Sequence, residues 1–165
     1  MFSIFKKKKE EPPAPVAPVV PANEYEFLIK CTDEKSGKAL EKYQKNWTDP
    51  EDKYEGMTIY DLKDSCRYGE KIYQYPPLEP AVKLKAFIGD DGSVVITGYV
   101  VDGDDELLVG EAAKTKANKI LKILQEESPA ITGELYGGKY WKLEDSGYVD
   151  DRWSDPPTVR FKLRW

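Results

Sequence analysis

Few residues in this chain have the type and spacing for bond chemistry. There is no His among the 165 residues, and only two Cys, Cys31 and Cys66. No Ser or Cys therefore has an imidazole base, and the usual His/Cys zinc sets cannot be assembled. Among the adjacent carboxylate pairs are Asp90/Asp91, Asp104/Asp105 and Asp150/Asp151. Each sits in a turn-like stretch and reads as solvated. Calcium would need ligands spaced along a twelve-residue loop, and "DGDDE" does not supply them. "YGGKYW" offers Gly137, Gly138 and Lys139, but it lacks the spacing and the following helix of a phosphate loop, so it reads as a hairpin turn. An enzyme reading has no nucleophile, base or metal to rest on. No cofactor is expected.

Charge narrows the classes further. The net charge is −5, yet the first 23 residues carry four Lys and two Glu, leaving −7 on the other 142. Such a domain repels phosphate backbones overall, so nucleic-acid binding would have to come from a locally basic groove. The opening "MFSIFKKKKEE" does not have the order of a signal peptide, and no later segment is apolar enough to span a bilayer. The expected compartment is the cytoplasm, with both thiols free. Phe2, Ile4, Phe5 and the Lys run at 6–9 are too few for firm lipid attachment and read as a solvated leader. Five Pro in "PPAPVAPVVPA" favour extended polyproline II, so residues 1–22 read as a disordered Lys- and Pro-rich linker.

The elements that would position a site begin near Asn23. "YEFLIKC" alternates as a strand. "SGKALEKYQKNW" places Ala39, Leu40, Tyr43 and Trp47 at helical spacing, with Ser36 as the cap. Thr58 and Asp61 form a capping-box pattern before a short helix. "KIYQY", "AVKLKAFI", "SVVITGYVV" and "ELLVGEA" read as strands. "KTKANKILKILQEESP" is the clearest helix, with Thr115 as cap and Ala117, Ile120, Leu121 and Leu124 as its apolar stripe. "AITGELYGGKYWKLE" reads as two strands about a Gly-Gly turn. "TVRFKLRW" alternates Val159, Phe161, Leu163 and Trp165 against Arg160, Lys162 and Arg164. The pattern predicts a mainly β, α+β domain over residues 23–165. Its sheet is an antiparallel barrel of about six or seven strands, with two or three flanking helices.

The order of several of these pieces resembles the HIRAN domain family, in particular a group of Firmicute HIRAN-like proteins. The matching pieces are residues 27–31, "KALEKYQKN", "YEGMTIYDLKD", "KIYQY", Val82-Lys83-Leu84, "VVDG", Val109-Gly110, "ANKILKIL" and "AITGELYGGKY". The resemblance runs over residues 25–165 and implies an OB-like barrel. In some HIRAN domains that barrel grips the 3′ end of single-stranded DNA, with bases stacked on aromatic rings. By that resemblance Tyr73, Tyr75, Tyr99 and Tyr140 would supply rings, and Lys83, Lys85 and Lys139 would meet phosphate. The bland alternative makes each Tyr a core or sheet-face residue and each Lys a solvated one.

The family's Pro- and Asn-rich loop falls on residues 87–96, "FIGDDGSVVI", where none of its Pro or Asn residues occurs. This stretch reads as a plain hairpin with Gly92 in the turn. Any grip on a strand end should then be weak. Two functions stay open: a weakened single-strand-end binder, and a protein-interaction domain on a Pro-rich tether.

One expectation follows from composition alone. Deleting residues 1–22 should leave the melting temperature nearly unchanged, because Pro density without apolar periodicity supplies no core contacts. A loss of several degrees would show that the segment packs on the domain.

Overall fold

The computed structural model describes residues 23–165. The linker reading of residues 1–22, and the lipid contact considered for their start, lie outside the described residues. The fold is mainly β with an OB-like arrangement. The strands are β1 (Glu24–Lys30), β2 (Lys71–Tyr73), β3 (Val82–Ile88), β4 (Val94–Asp102), β5 (Asp105–Glu111), β6 (Ala130–Leu143), β7 (Val149–Asp150) and β8 (Ser154–Arg164). The helices are α1 (Glu34–Trp47), α2 (Ile59–Ser65) and α3 (Lys114–Glu126). All strand pairs are antiparallel. One sheet runs β1-β8-β6-β2 with β7 beside β6, and the other runs β3-β4-β5. The sheets curl toward each other as a half-open barrel. Among the described residues, no helix is long and apolar enough to cross a membrane.

Alternation builds the core. Val159, Phe161 and Leu163 of β8 turn inward to meet Phe27 and Ile29 of β1, Leu135 of β6, and Ile96 and Val100 of β4. Phe27 and Phe161 stack with centroids 5.5 Å apart. Helix α3 closes the core with Ala117, Ile120 and Ile123, and α1 with Leu40 and Tyr43. The outward residues Arg160, Lys162 and Arg164 pair with Glu134, Glu26 and Glu24 across the ladder, at 2.9, 3.5 and 2.9 Å.

Residues 87–96 form the plain hairpin expected of them. The Gly89 N–H donates to the Ser93 carbonyl at 2.8 Å, and Gly92 sits in the turn at φ 77°. The Thr58–Asp61 capping box is present on α2. Cys31 and Cys66 are free thiols, and burial pushes both above the ordinary thiol value.

Several local readings are corrected. The Gly137-Gly138 pair is not a hairpin turn: β6 runs through it as one strand of 14 residues with a register shift between Tyr136 and Gly138. Helix α1 is capped by Asp33, whose carboxylate accepts the Ser36 N–H at 2.7 Å, so the helix starts two residues before the expected cap. Helix α3 begins after Ala113 with no side-chain cap, and Thr115 lies inside it. Strand β2 stops at Tyr73, leaving Tyr75 outside the ladder. Trp47 is 63% exposed, and Gln44 takes its expected place on the buried face of α1. A kinked 3-10 segment over Pro50–Gly56 was not foreseen. In it, Tyr54 has φ 53° and stacks on Trp141 at 3.6 Å.

The two sheets pack closely at Gly98. A Cβ there would lie 2.6 Å from Phe161 Cζ and 2.8 Å from Ile29 Cδ1. Gly98→Ala should therefore cost about 1–3 kcal/mol through overpacking. Urea denaturation is the check. A variant as stable as the wild type would show that the ring and the Ile side chain can move aside freely.

Candidate functional site

The seven residues proposed from the resemblance separate into three places. Tyr73 and Tyr140 lie opposite each other on β2 and β6, with their rings edge-to-face at 5.5 Å. The Tyr73 hydroxyl donates to Asp155 Oδ2 at 2.5 Å. Lys71 Nζ donates to the same carboxylate at 2.7 Å and lies 4.5 Å from the centre of the Tyr140 ring. Burial, then the bond to Asp155, pushes the Tyr73 hydroxyl well above its ordinary pKa. Burial works against ionisation of Asp155, but the bonds from Lys71 and Tyr73 outweigh it and hold the carboxyl below its usual range. These groups satisfy one another, so few of their donors are left for a ligand.

Lys83, Lys85 and Tyr99 sit on the outer face of the β3-β4-β5 sheet. Lys83 Nζ donates to Glu106 of β5 at 2.7 Å, and Lys85 donates to the other oxygen of the same carboxylate. Lys85 also lies 4.7 Å from the centre of the Tyr99 ring. The bond to Glu106 raises the Lys85 ammonium, and the bonds from Lys83 and Lys85 lower Glu106. Two cations share one carboxylate here, which leaves the face only weakly basic.

Tyr75 and Lys139 lie elsewhere, in a cleft of about 390 Å³ between α1 and the β2–β6 edge. Helical periodicity brings Lys38, Lys42 and Lys45 to its rim, with Glu41 among them. Gly138 of β6 also lines it, and the Gln74 N–H donates to the Lys139 carbonyl at 2.8 Å to hold the edge in place. Tyr75 is buried, and its hydroxyl is pushed up first by that burial and then by Glu41. Lys38 pairs with Glu34 at 2.5 Å. Among the described residues, no carboxylate lies within ion-pair distance of Lys42, Lys45 or Lys139. This is a basic groove in an acidic domain, with an aromatic ring at its wall. Sequence reasoning missed the α1 lysines. Their i, i+4, i+7 spacing in "KALEKYQK" was the available signal.

The chain matches no protein-family model, no curated protein and no solved structure.

One carboxylate expected in a solvated turn is not solvated. Asp150 is buried, and Arg152 grips it through Nε at 2.9 Å, Nη2 at 2.7 Å and its backbone N–H at 3.0 Å. Trp153 Nε1 donates to it as well, at 3.0 Å. The short chain between Asp150 and Trp153 folds back on itself, an arrangement that composition does not reveal. The Arg152 bonds hold the Asp150 carboxyl far below its ordinary value of 3.8. A depressed folded-state pKa stabilises the fold above the unfolded value, and that contribution is lost as pH falls below it. Asp150→Asn should therefore be less stable than the wild type at neutral pH, with the two converging as pH drops below about 4. Denaturant titrations over that range are the check. Curves that coincide at every pH would mean that the clasp contributes nothing to stability.

Proposed function

We propose that this domain is a non-enzymatic, HIRAN-like binding module that takes a short stretch of single-stranded DNA in the α1 cleft. The observation that carries this is the set of three lysines, Lys42, Lys45 and Lys139, that have no carboxylate partner among the described residues and line the cleft with Tyr75. Elsewhere the proposed contact lysines are engaged. Glu106 holds Lys83 and Lys85, and Asp155 ties up the Tyr73 hydroxyl. A phosphate backbone along the cleft would gain three cations.

Affinity should be weak. Three surface cations supply a modest counterion-release gain, and the ordering of the strand offsets part of it. The −7 charge on the domain opposes approach of a polyanion from most directions. The 87–96 hairpin supplies no polar loop to add specific contacts. A dissociation constant on the order of 10⁻⁴ M at physiological salt is expected.

Fluorescence anisotropy with a labelled hexanucleotide, read at several salt concentrations, is the test. Three lysine–phosphate contacts give a slope of log K against log salt of about −2, and Lys139→Glu should flatten it by roughly 0.7. Absence of binding at low salt, or binding indifferent to Lys139→Glu, would sink the proposal.

A second reading, a protein-interaction domain on a Pro-rich tether, draws on a different place. Ile59 and Tyr148 are exposed beside Trp141 and Val149 in a cleft of about 230 Å³. Exposed rings of this kind are common at protein interfaces.

A further inference from the structure

Strand β3 is the outer strand of the β3-β4-β5 sheet. Two other strand edges are met by neighbouring chain. Just past β2, the Tyr54 N–H donates to the Gln74 carbonyl at 3.2 Å, and at β5 a Cβ on Gly110 would lie 3.1 Å from the Lys30 carbonyl oxygen. The far half of β3 is bare: Ala86 is exposed, as are Phe87 at 48% and Ile88 at 69%.

The ladder shows which backbone groups point outward. β3 and β4 pair in unbroken register from Val82 to Ile88. The Gly89 N–H donates to the Ser93 carbonyl and the Val101 N–H to the Ala81 carbonyl, both at 2.8 Å. The odd-numbered positions are therefore the hydrogen-bonded ones, and in an antiparallel ladder they alternate with residues whose N–H and C=O face away. Leu84, Ala86 and Ile88 turn theirs to the open edge. Lysines on an edge strand normally discourage pairing, but Lys83 and Lys85 are both engaged by Glu106.

We propose that β3 pairs antiparallel with β3 of a second copy, joining two three-stranded sheets into one of six strands about a two-fold axis. Side chains select the register. Centring on Lys85 would set the two copies' Lys85 residues face to face, and centring on Leu84 would oppose Lys83 to Lys85. Like charges directly opposite are unfavourable. Centring on Phe87 leaves only the Ala86–Ile88 pair within the strands. Centring on Ala86 avoids all three. Ile88 then covers the half-buried Leu84 of the second copy on the inner face, and Phe87 meets the aliphatic stem of its Lys85 on the outer face.

Charge favours the same pairing. This register sets Asp90 and Asp91 of one copy opposite Val82 and Ala81 of the other. Ala81 lines a cleft of about 560 Å³ with Glu79, Glu134, Arg160, Lys162 and Arg164, three cations against two carboxylates. Asp90 and Asp91 are exposed, and neither has an ion pair among the described residues. Each copy offers an acidic hairpin tip to the other's basic cleft, the self-complementarity that a two-fold interface requires. The −7 charge on each domain opposes approach at long range, so the dimer belongs to concentrated solution.

Sedimentation velocity of the full chain over a concentration series is the test. The wild type should pass from monomer to dimer and stop there. Ala86→Pro deletes an N–H that the ladder with β4 does not use, on both sides of the axis, and should weaken the dimer about tenfold or more. Ile88→Lys places an ammonium against Leu84 and should weaken it at least as much. That variant changes an exposed side chain, so its melting temperature in dilute solution should match the wild type's. A wild type that stays monomeric up to about 1 mM would overturn the proposal. So would growth beyond the dimer, because a two-fold contact is closed. Undiminished association of Ile88→Lys would overturn it as well.

Discussion

The layout of the domain depends on the approach of β6 to two prolines of β8. Pro156 and Pro157 have no N–H to offer the ladder. Both stand opposite the single residue Gly137, so β8 carries the bulge, and a Cβ on Gly137 would lie 2.7 Å from the Pro156 carbonyl oxygen. Only glycine fits that contact, and only glycine adopts φ 104° and 90° in succession without strain. The Pro157 carbonyl is still used, because the Cys31 N–H donates to it at 2.8 Å as β1 leaves the sheet. The prolines thus cost the ladder two donors without opening the sheet.

That bulge divides the neighbouring polar groups between two surfaces. On one side Tyr73, Lys71 and Asp155 close on one another. On the other, Gly138 and Lys139 face α1 and leave a cleft. Without the extra residue in β8, Asp155 would meet β6 one residue out of its present register, and strand side chains alternate with period two.

Charge pairing then decides which cations remain for a partner. Most lysines and arginines of the sheets have a carboxylate across the ladder, such as Arg160 with Glu134 and Lys83 with Glu106. Exposed pairs like these add little to stability. Their larger effect is on the surface field, which they cancel locally. Among the described residues, Lys42, Lys45 and Lys139 escape because they line a gap between a helix and a strand edge.

The sequence by itself determined features set by a few neighbouring residues. The in–out alternation of Val159, Phe161 and Leu163 against Arg160, Lys162 and Arg164 was legible, as were the Thr58–Asp61 capping box, the turn at Gly92 and the apolar stripe of α3. Each depends on periodicity or on backbone preferences within one turn or one hairpin. The candidate site was legible only as residue types: Tyr75 and Lys139 were named, but not that they would meet Lys42 and Lys45. Tertiary structure alone decided that β6 would pass through Gly137-Gly138 unbroken, since that depends on Pro156 arriving opposite. It alone decided that Lys71 and Tyr73 would meet Asp155, more than 80 residues away. Register between distant strands is a property of the whole packed core. A Lys or a Gln carries no local mark of whether a carboxylate, a partner amide or open space will face it.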